Sequence, residues 1–366
     1  MLVRTPFRKI KIYTAIFFAS DHVPWSKIKT EFQEPYHSPQ ETGRIISYPE
    51  AVREGLAQAL AQDPMVFVMG QGVDDPGGMF GTTRGLHKEF GEERVFDTPL
   101  AETALTGVAV GAAIAGMRPV YFHNRPDFLY LAMDQLANHA AKWYFMFGGR
   151  VNVPLVIWSC IGRGWGSAAQ HSQALQGLFM HIPGLKLIMP STCFDAKGLL
   201  ISSIGDPNPV VILEHRFNFK QQGMVPEGMY RVPIGKGVVR RPGKDVTVVA
   251  ISHLVLDAFN AAQELAIEGI DVEVIDPRTL RPLDEDLILH SVAKTGRLVI
   301  ADTGWKTGGV TAEIGAMVAE KGFDLLKAPI IRLACPDLPT PAGYSLEEAY
   351  YLGKEDIRRA IRRLVR

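Results

Sequence analysis

A chain of 366 residues is longer than one hydrophobic core usually spans, so two α/β-sized domains are expected. With 47% hydrophobic residues and 39 basic side chains balancing 39 acidic ones, it reads as globular, with no net field to gather nucleic acid or anionic lipid. Cys160, Cys193 and Cys335 are scattered without CxxC spacing, which argues against a disulfide framework or zinc knuckle. They read as packing residues in a reducing, cytoplasmic setting.

The first twenty residues, "MLVRTPFRKIKIYTAIFFAS", carry four basic and no acidic side chains before a short apolar patch. The pattern weakly resembles an import or secretory leader, but no clean cleavage pattern follows, and residues 1–44 read as a flexible extension. From residue 45 short apolar runs alternate with helical ones: "MVFVMGQ" at 65, "RVFDTP" at 94, "RPVYFH" at 118, "VPLVIWS" at 153, "LKLIMPS" at 185 and "PVVILEH" at 209. Continuous apolar strands between helices predict a buried parallel sheet, hence a doubly wound domain over 45–220. The uncharged stretch 105–117 is too short to cross a bilayer. Residues 221–244, rich in Gly, Pro and Lys, read as a linker. A second α/β domain is predicted over 245–366, with strands "DVTVVAIS", "IDVEVID", "RLVIADT" and "PIIRLACP" and a helix over 254–268.

Three stretches offer chemistry. In "DTPLAETALTGVAVGAAIAG", residues 97–116, Glu102 stands before a small-residue helix without a basic partner nearby in sequence. Gly107, Gly111 and Ala115 recur every four residues, leaving one helix face close to bare backbone, suited to tight helix packing. Glu102 is either a carboxylate favoured by the helix dipole, worth about 0.3–1 kcal/mol, or a buried acid whose raised pKa lets it hold a proton. In "CIGRGWGSAAQHSQAL", His171 follows a strand and a glycine-rich loop, the position where open α/β sheets bind ligands. "GRGWGS" lacks the lysine of a P-loop and the spacing of GxGxxG. A lone histidine is more often structural or solvated than catalytic. In residues 121–143, His123, Asn124, Arg125 and Phe128 pass from strand to helix, with Asp127 as a simple helix start and Phe128 as a core ring or a platform for a flat heterocycle.

The order of these pieces, followed by "DAKGLL", "DPNPVVILE", "IDPRTLRPLD", "KTGRLVIAD", "GGVTAEIGA" and "LACPDLPTP", resembles the β subunit of the thiamine-diphosphate-dependent 2-oxo acid dehydrogenases over residues 45–366. The resemblance implies a transketolase-like pyrimidine-binding domain followed by a transketolase-type C-terminal domain. It also implies decarboxylation of a 2-oxo acid and acylation of a lipoyl group. Glu102 matches the glutamate that bonds the aminopyrimidine of thiamine diphosphate and drives its proton relay. Phe128 matches the aromatic on the pyrimidine, and Asn124 and Gln71 fall close to the cofactor. His171 matches the histidine that orients the oxo acid and manages protons during acyl transfer. Leu155, Ser203, Asp206 and Asn208 align with a monovalent-cation (K+) site.

The chain has no GDG motif with a following Asn-rich segment, the magnesium-diphosphate anchor of this cofactor class. An α-type chain carrying GDG is therefore implied, in an α2β2 assembly that serves a lipoylated acyltransferase, with this chain inactive alone. Three departures stand out: Gln71 where an acidic residue is common, "YFHNRPDF" in place of the usual lead into the aromatic, and Asp302 where Glu is common. The altered 121–128 segment leaves room for half of a split carboligase with an aldehyde acceptor, and a degenerate structural subunit is the non-enzymatic alternative.

Overall fold

The computed structural model describes residues 43–164 and 166–365; the expected extension therefore falls, except for its last two residues, outside the described part. The described chain opens with β1 (Arg44–Ser47) and turns into α1 (Tyr48–Gln62) through a capping box. Ser47 Oγ accepts from the Glu50 N–H, the Glu50 carboxylate accepts from the Ser47 N–H, and Pro49 sits in the first turn, where it removes no helical bond.

Next come β2 (Val66–Gly70), α2 (Leu86–Phe90), β3 (Val95–Phe96), α3 (Glu102–Ile114), β4 (Arg118–His123), α4 (Ala141–Met146), β5 (Val156–Ile161), α5 (Gln176–His181), β6 (Lys186–Ile188), α6 (Cys193–Gly205) and β7 (Val210–His215). The second half holds β8 (Gln222–Val225), β9 (Val238–Arg241), β10 (Val246–Ala250), α7 (Leu254–Ile267), β11 (Val272–Asp276), β12 (Thr279–Arg281), α8 (Glu285–Thr295), β13 (Leu298–Trp305), α9 (Val310–Lys321), β14 (Ile331–Cys335), α10 (Tyr344–Tyr350) and α11 (Lys354–Val365). Every apolar run singled out in the sequence is a strand.

A seven-stranded sheet has the order β12-β6-β7-β5-β4-β2-β3 and a five-stranded one the order β14-β13-β10-β11-β9. Both are parallel except for one antiparallel edge strand each, β12 and β9. The 221–244 stretch does more than connect them: β8 pairs with β1, and β9 closes the edge of the second sheet. Strand β12 lies beyond that stretch in sequence yet pairs with β6, so the C-terminal half supplies an edge of the first sheet.

The junction is ionic as well. Buried Asp195, in the first turn of α6, binds Arg278 at 2.8 Å and also Arg240, which reaches Asp276 at 2.9 Å. Burial alone would raise the Asp195 carboxyl, but Arg240 and Arg278 hold it below its ordinary range. The motifs "DAKGLL" and "IDPRTLRPLD" are therefore two halves of one contact. An apolar cluster including Leu187, Ile275, Leu287 and Val310 runs continuously through the same junction.

Candidate active site at the C-terminal edge of the first sheet

Strands β5, β4, β2 and β3 are parallel neighbours, so their C-terminal ends lie along one edge, where α/β sheets hold ligands. Gln71 directly follows β2, Glu102 opens the helix after β3, Asn124 directly follows β4, and the loop after β5 carries His171. Residues scattered over a hundred positions thus share an edge. Clefts of about 330 Å³ and 350 Å³ meet at Arg118, which begins β4, and belong to the opposite edge.

Glu102 is the first residue of α3, where the free N–H groups and the helix dipole favour a carboxylate. Expected to be either a dipole-favoured or a buried acid, it is half-buried, and no hydrogen bond or ion pair joins its side chain to another described residue. Tyr121 lies beside it; burial, then the Glu102 charge, push that phenol up to about 12. The His123 ring packs on Tyr121 with centroids 4.1 Å apart, and burial depresses it to about 3, so it is neutral. Asn124 is half-buried with its Oδ1 unpartnered. Gln71 is half-buried too, and the neighbouring Gly72 N–H donates to Asp97 at 2.7 Å, joining the ends of β2 and β3.

The small-residue stripe differs from simple internal packing. A methyl added at Gly107 would touch the Gln135 side chain at 3.7 Å, but one at Gly111 would meet nothing, and Gly111 and Ala115 are exposed. Val108 is exposed on the same helix, Leu100 just before it, and Tyr130 and Leu131 on the segment after β4.

The segment after β4 is helical but wound irregularly, as a 3-10 turn (Pro126–Ala132), a π turn (Asp134–Ala140) and then α4. Arg125 points inward, donating to the Cys160 carbonyl at 3.2 Å and lying over the Phe80 ring. Half-buried Phe128 meets exposed His171 edge-on, with ring centroids 5.1 Å apart at 78°. Asp127 does not cap the turn; its Oδ1 accepts from the Gln173 backbone at 3.2 Å and side chain at 2.8 Å. Further along, the Gln176 amide donates to Asp302 on β13 at 2.7 Å, so the C-terminal half also braces the His171 segment. Burial raises Asp302 to about 6, against hydrogen bonds that lower it.

Sequence reasoning missed the Asp127–Gln173 and Asp302–Gln176 bonds and a stacked histidine pair. His215, ending β7, stacks on His253 at 4.9 Å, and burial holds both imidazoles neutral. The one sequence signal for the pair is Gly162: a Cβ there would stand 2.7 Å from His215 Nε2. Of the four residues aligned with a cation site, Ser203, Asp206 and Asn208 are linked in one turn, the Ser203 carbonyl accepting from Asp206 N at 3.1 Å and Asp206 Oδ1 from Asn208 N at 2.9 Å; the Leu155 carbonyl accepts from Val210 N at 2.9 Å, and the Asp206 carboxylate also pairs with Lys186. All three cysteines are buried and none is in a disulfide. No helix among the described residues is long and apolar enough to cross a membrane.

Comparison with known proteins decides the family. The transketolase pyrimidine-binding domain matches residues 44–222, and the transketolase C-terminal domain matches residues 235–357. The chain is 43% identical over 319 residues to the acetoin:2,6-dichlorophenolindophenol oxidoreductase subunit beta of Bacillus subtilis (strain 168), covering 84% of this chain and 93% of that one. The chain belongs to the transketolase-type 2-oxo acid dehydrogenase β-subunit family. It is also 43% identical over 300 residues to the pyruvate dehydrogenase E1 component subunit beta of Rhizobium meliloti (strain 1021), covering 82% of this chain and 65% of that one. With the 2-oxoisovalerate dehydrogenase subunit beta of Bacillus subtilis it shares 38% identity over 322 residues, 87% of this chain and 98% of that one. A solved structure described as a split gene transketolase, inactive beta4 tetramer, superposes with a TM-score of 0.71 at 24% identity, over 87% of this chain and 98% of that one, and shares the fold. Transketolase-like architecture, expected from the sequence, is thereby established.

Proposed function

We propose that this chain is the β subunit of a thiamine-diphosphate-dependent 2-oxo acid dehydrogenase, decarboxylating a 2-oxo acid and acylating a lipoyl group. One observation carries the reading: Glu102, a carboxyl with no partner of its own, lies on the sheet edge that also presents Phe128 and His171. An acid without an internal partner, at a helix N-terminus and beside Tyr121, suits a ligand nitrogen. When bound, thiamine diphosphate supplies the nucleophile that attacks the oxo carbon and accepts the electrons released on decarboxylation. Glu102 holds and returns a proton at its carboxyl. Phe128 offers an apolar face to the aminopyrimidine, and Asn124 and Gln71 add polar contacts nearby. His171, exposed and oriented by Phe128, orients the oxo acid and moves a proton during acyl transfer.

An α-type chain carrying the GDG motif completes the cofactor site in an α2β2 assembly, and a lipoylated acyltransferase takes the acyl group. The outward Gly111 and Ala115 with exposed Leu100, Val108, Tyr130 and Leu131 support such a contact, since an apolar face of this kind marks an interface. The carbonyls of Leu155 and Ser203 with the side chains of Asp206 and Asn208 offer oxygen donors, the type that suits a K+ ion held there.

The test is reconstitution with the α-type chain and a panel of 2-oxo acids. Wild type should acylate lipoamide, and Glu102→Gln should lower turnover by about 100-fold or more while the assembly survives gel filtration. Undiminished turnover in Glu102→Gln would remove the assigned role. Turnover that demands an aldehyde and never acylates lipoamide would make the protein a carboligase instead.

A further inference from the structure

Among its described residues, the loop between β5 and α5 makes few hydrogen bonds within itself. Gly162, Gly164 and Gly166 have positive φ, and so does Ala168 at +57°, an unfavourable conformation for a residue with a Cβ. The His171 N–H makes only a long turn bond, 3.4 Å, to the Ala168 carbonyl. Order at His171 must come largely from outside the loop.

Around His171 itself, two consecutive residues supply much of it. Phe128 meets the His171 ring edge-on, while Asp127 receives both the backbone and side-chain N–H groups of Gln173, two residues further along. The 3-10 turn therefore grips the loop on both sides of Ser172, whose own carbonyl accepts from the Tyr351 hydroxyl at 3.3 Å. Asp127 is only 7% exposed, and its Oδ2 is buried without a partner. Burying a half-satisfied carboxyl opposes folding, and a simple helix start does not require it.

We propose that Asp127 is a positioning residue for the dehydrogenase reaction: through Gln173 it fixes the His171 loop, so that His171 meets the substrate in one orientation. The inference rests on the role given to His171 above. Orientation of a proton-transferring group by a neighbour that never touches substrate is a general way to reduce the reorganisation needed in the transition state.

The experiment uses the reconstituted α/β assembly with Asp127→Ala, Asp127→Asn and Gln173→Ala. Hydrogen exchange of the peptide spanning residues 168–175 reads the grip without reference to activity: Asp127→Ala and Gln173→Ala should exchange about tenfold faster, and Asp127→Asn, which keeps an oxygen for Gln173, should stay near wild type. Acyl transfer to lipoamide should fall by roughly tenfold in kcat for Asp127→Ala, with KM for the oxo acid changed less, and recover in Asp127→Asn. Placed in a His171→Ala background, Asp127→Ala should then cost less than about twofold, because the two act as one unit. Unchanged exchange in both alanine variants, or the same fold-loss with and without His171, overturns the proposal. A fully active His171→Ala assembly would instead overturn the role of His171, while the exchange data still judge the grip.

Discussion

The edge of one ring stands against the face of another: Phe128 and His171 lie 5.1 Å apart at 78°, brought together from separate strand ends. Such a contact contributes about 0.5–1.5 kcal/mol and fixes the direction of the imidazole. His171→Ala should therefore lower acyl transfer by about 100-fold while thiamine diphosphate affinity, read by calorimetry on the assembly, changes little. A variant that lost affinity alone, with its acyl-transfer rate intact, would contradict this.

Gly111 faces open space in the chain. Gly111→Leu should leave the melting temperature of the isolated β chain unchanged or slightly higher, since a helix interior favours leucine over glycine by about 1 kcal/mol. Co-purification with partner subunits should fail. A variant that still assembled normally would show that this face is not a contact.

Asp302 gives a pH signature. Burial pushes its folded carboxyl up to about 6, above the ordinary carboxylate value. The folded state therefore binds the proton more tightly than the unfolded chain, so stability from this group is full below the unfolded pKa and is lost as pH rises towards 6. The loss amounts to roughly 3 kcal/mol. In Asp302→Asn that dependence should vanish from urea denaturation curves collected between pH 4 and 7; an identical slope in variant and wild type would assign it elsewhere.

Asp195 has the opposite sign. Held below its ordinary range beside Arg240 and Arg278, it adds stability above the unfolded carboxylate pKa that is lost as pH falls through its folded value. Asp195→Ala leaves a buried guanidinium underpaired and should cost about 3–5 kcal/mol in chemical denaturation. A loss within error of zero would mean that water replaces the carboxylate.

The sequence makes the strand pattern legible because short, β-branched apolar runs such as "VTVVA" and "VVILE", bounded by turn residues, favour buried sheet over helix. It does not reveal β12, a strand of just Thr279, Leu280 and Arg281, because nothing local distinguishes it from a turn. Glu102, Phe128 and His171 stand out through motif order. Asp127 was legible only as a helix start, since its partner Gln173 lies 46 residues away and side-chain bonds at that separation leave no periodicity.

Strand β12 has a consequence for the life of the chain on the ribosome. Until residue 281 has been made, β6 is a bare edge, and Asp195 has neither Arg240 nor Arg278 until those residues follow. The first sheet is thus finished only well into synthesis of the second half. The two halves are read in order but mature together, so a truncated product ending before β12 should present an open edge to chaperones or to its own copies.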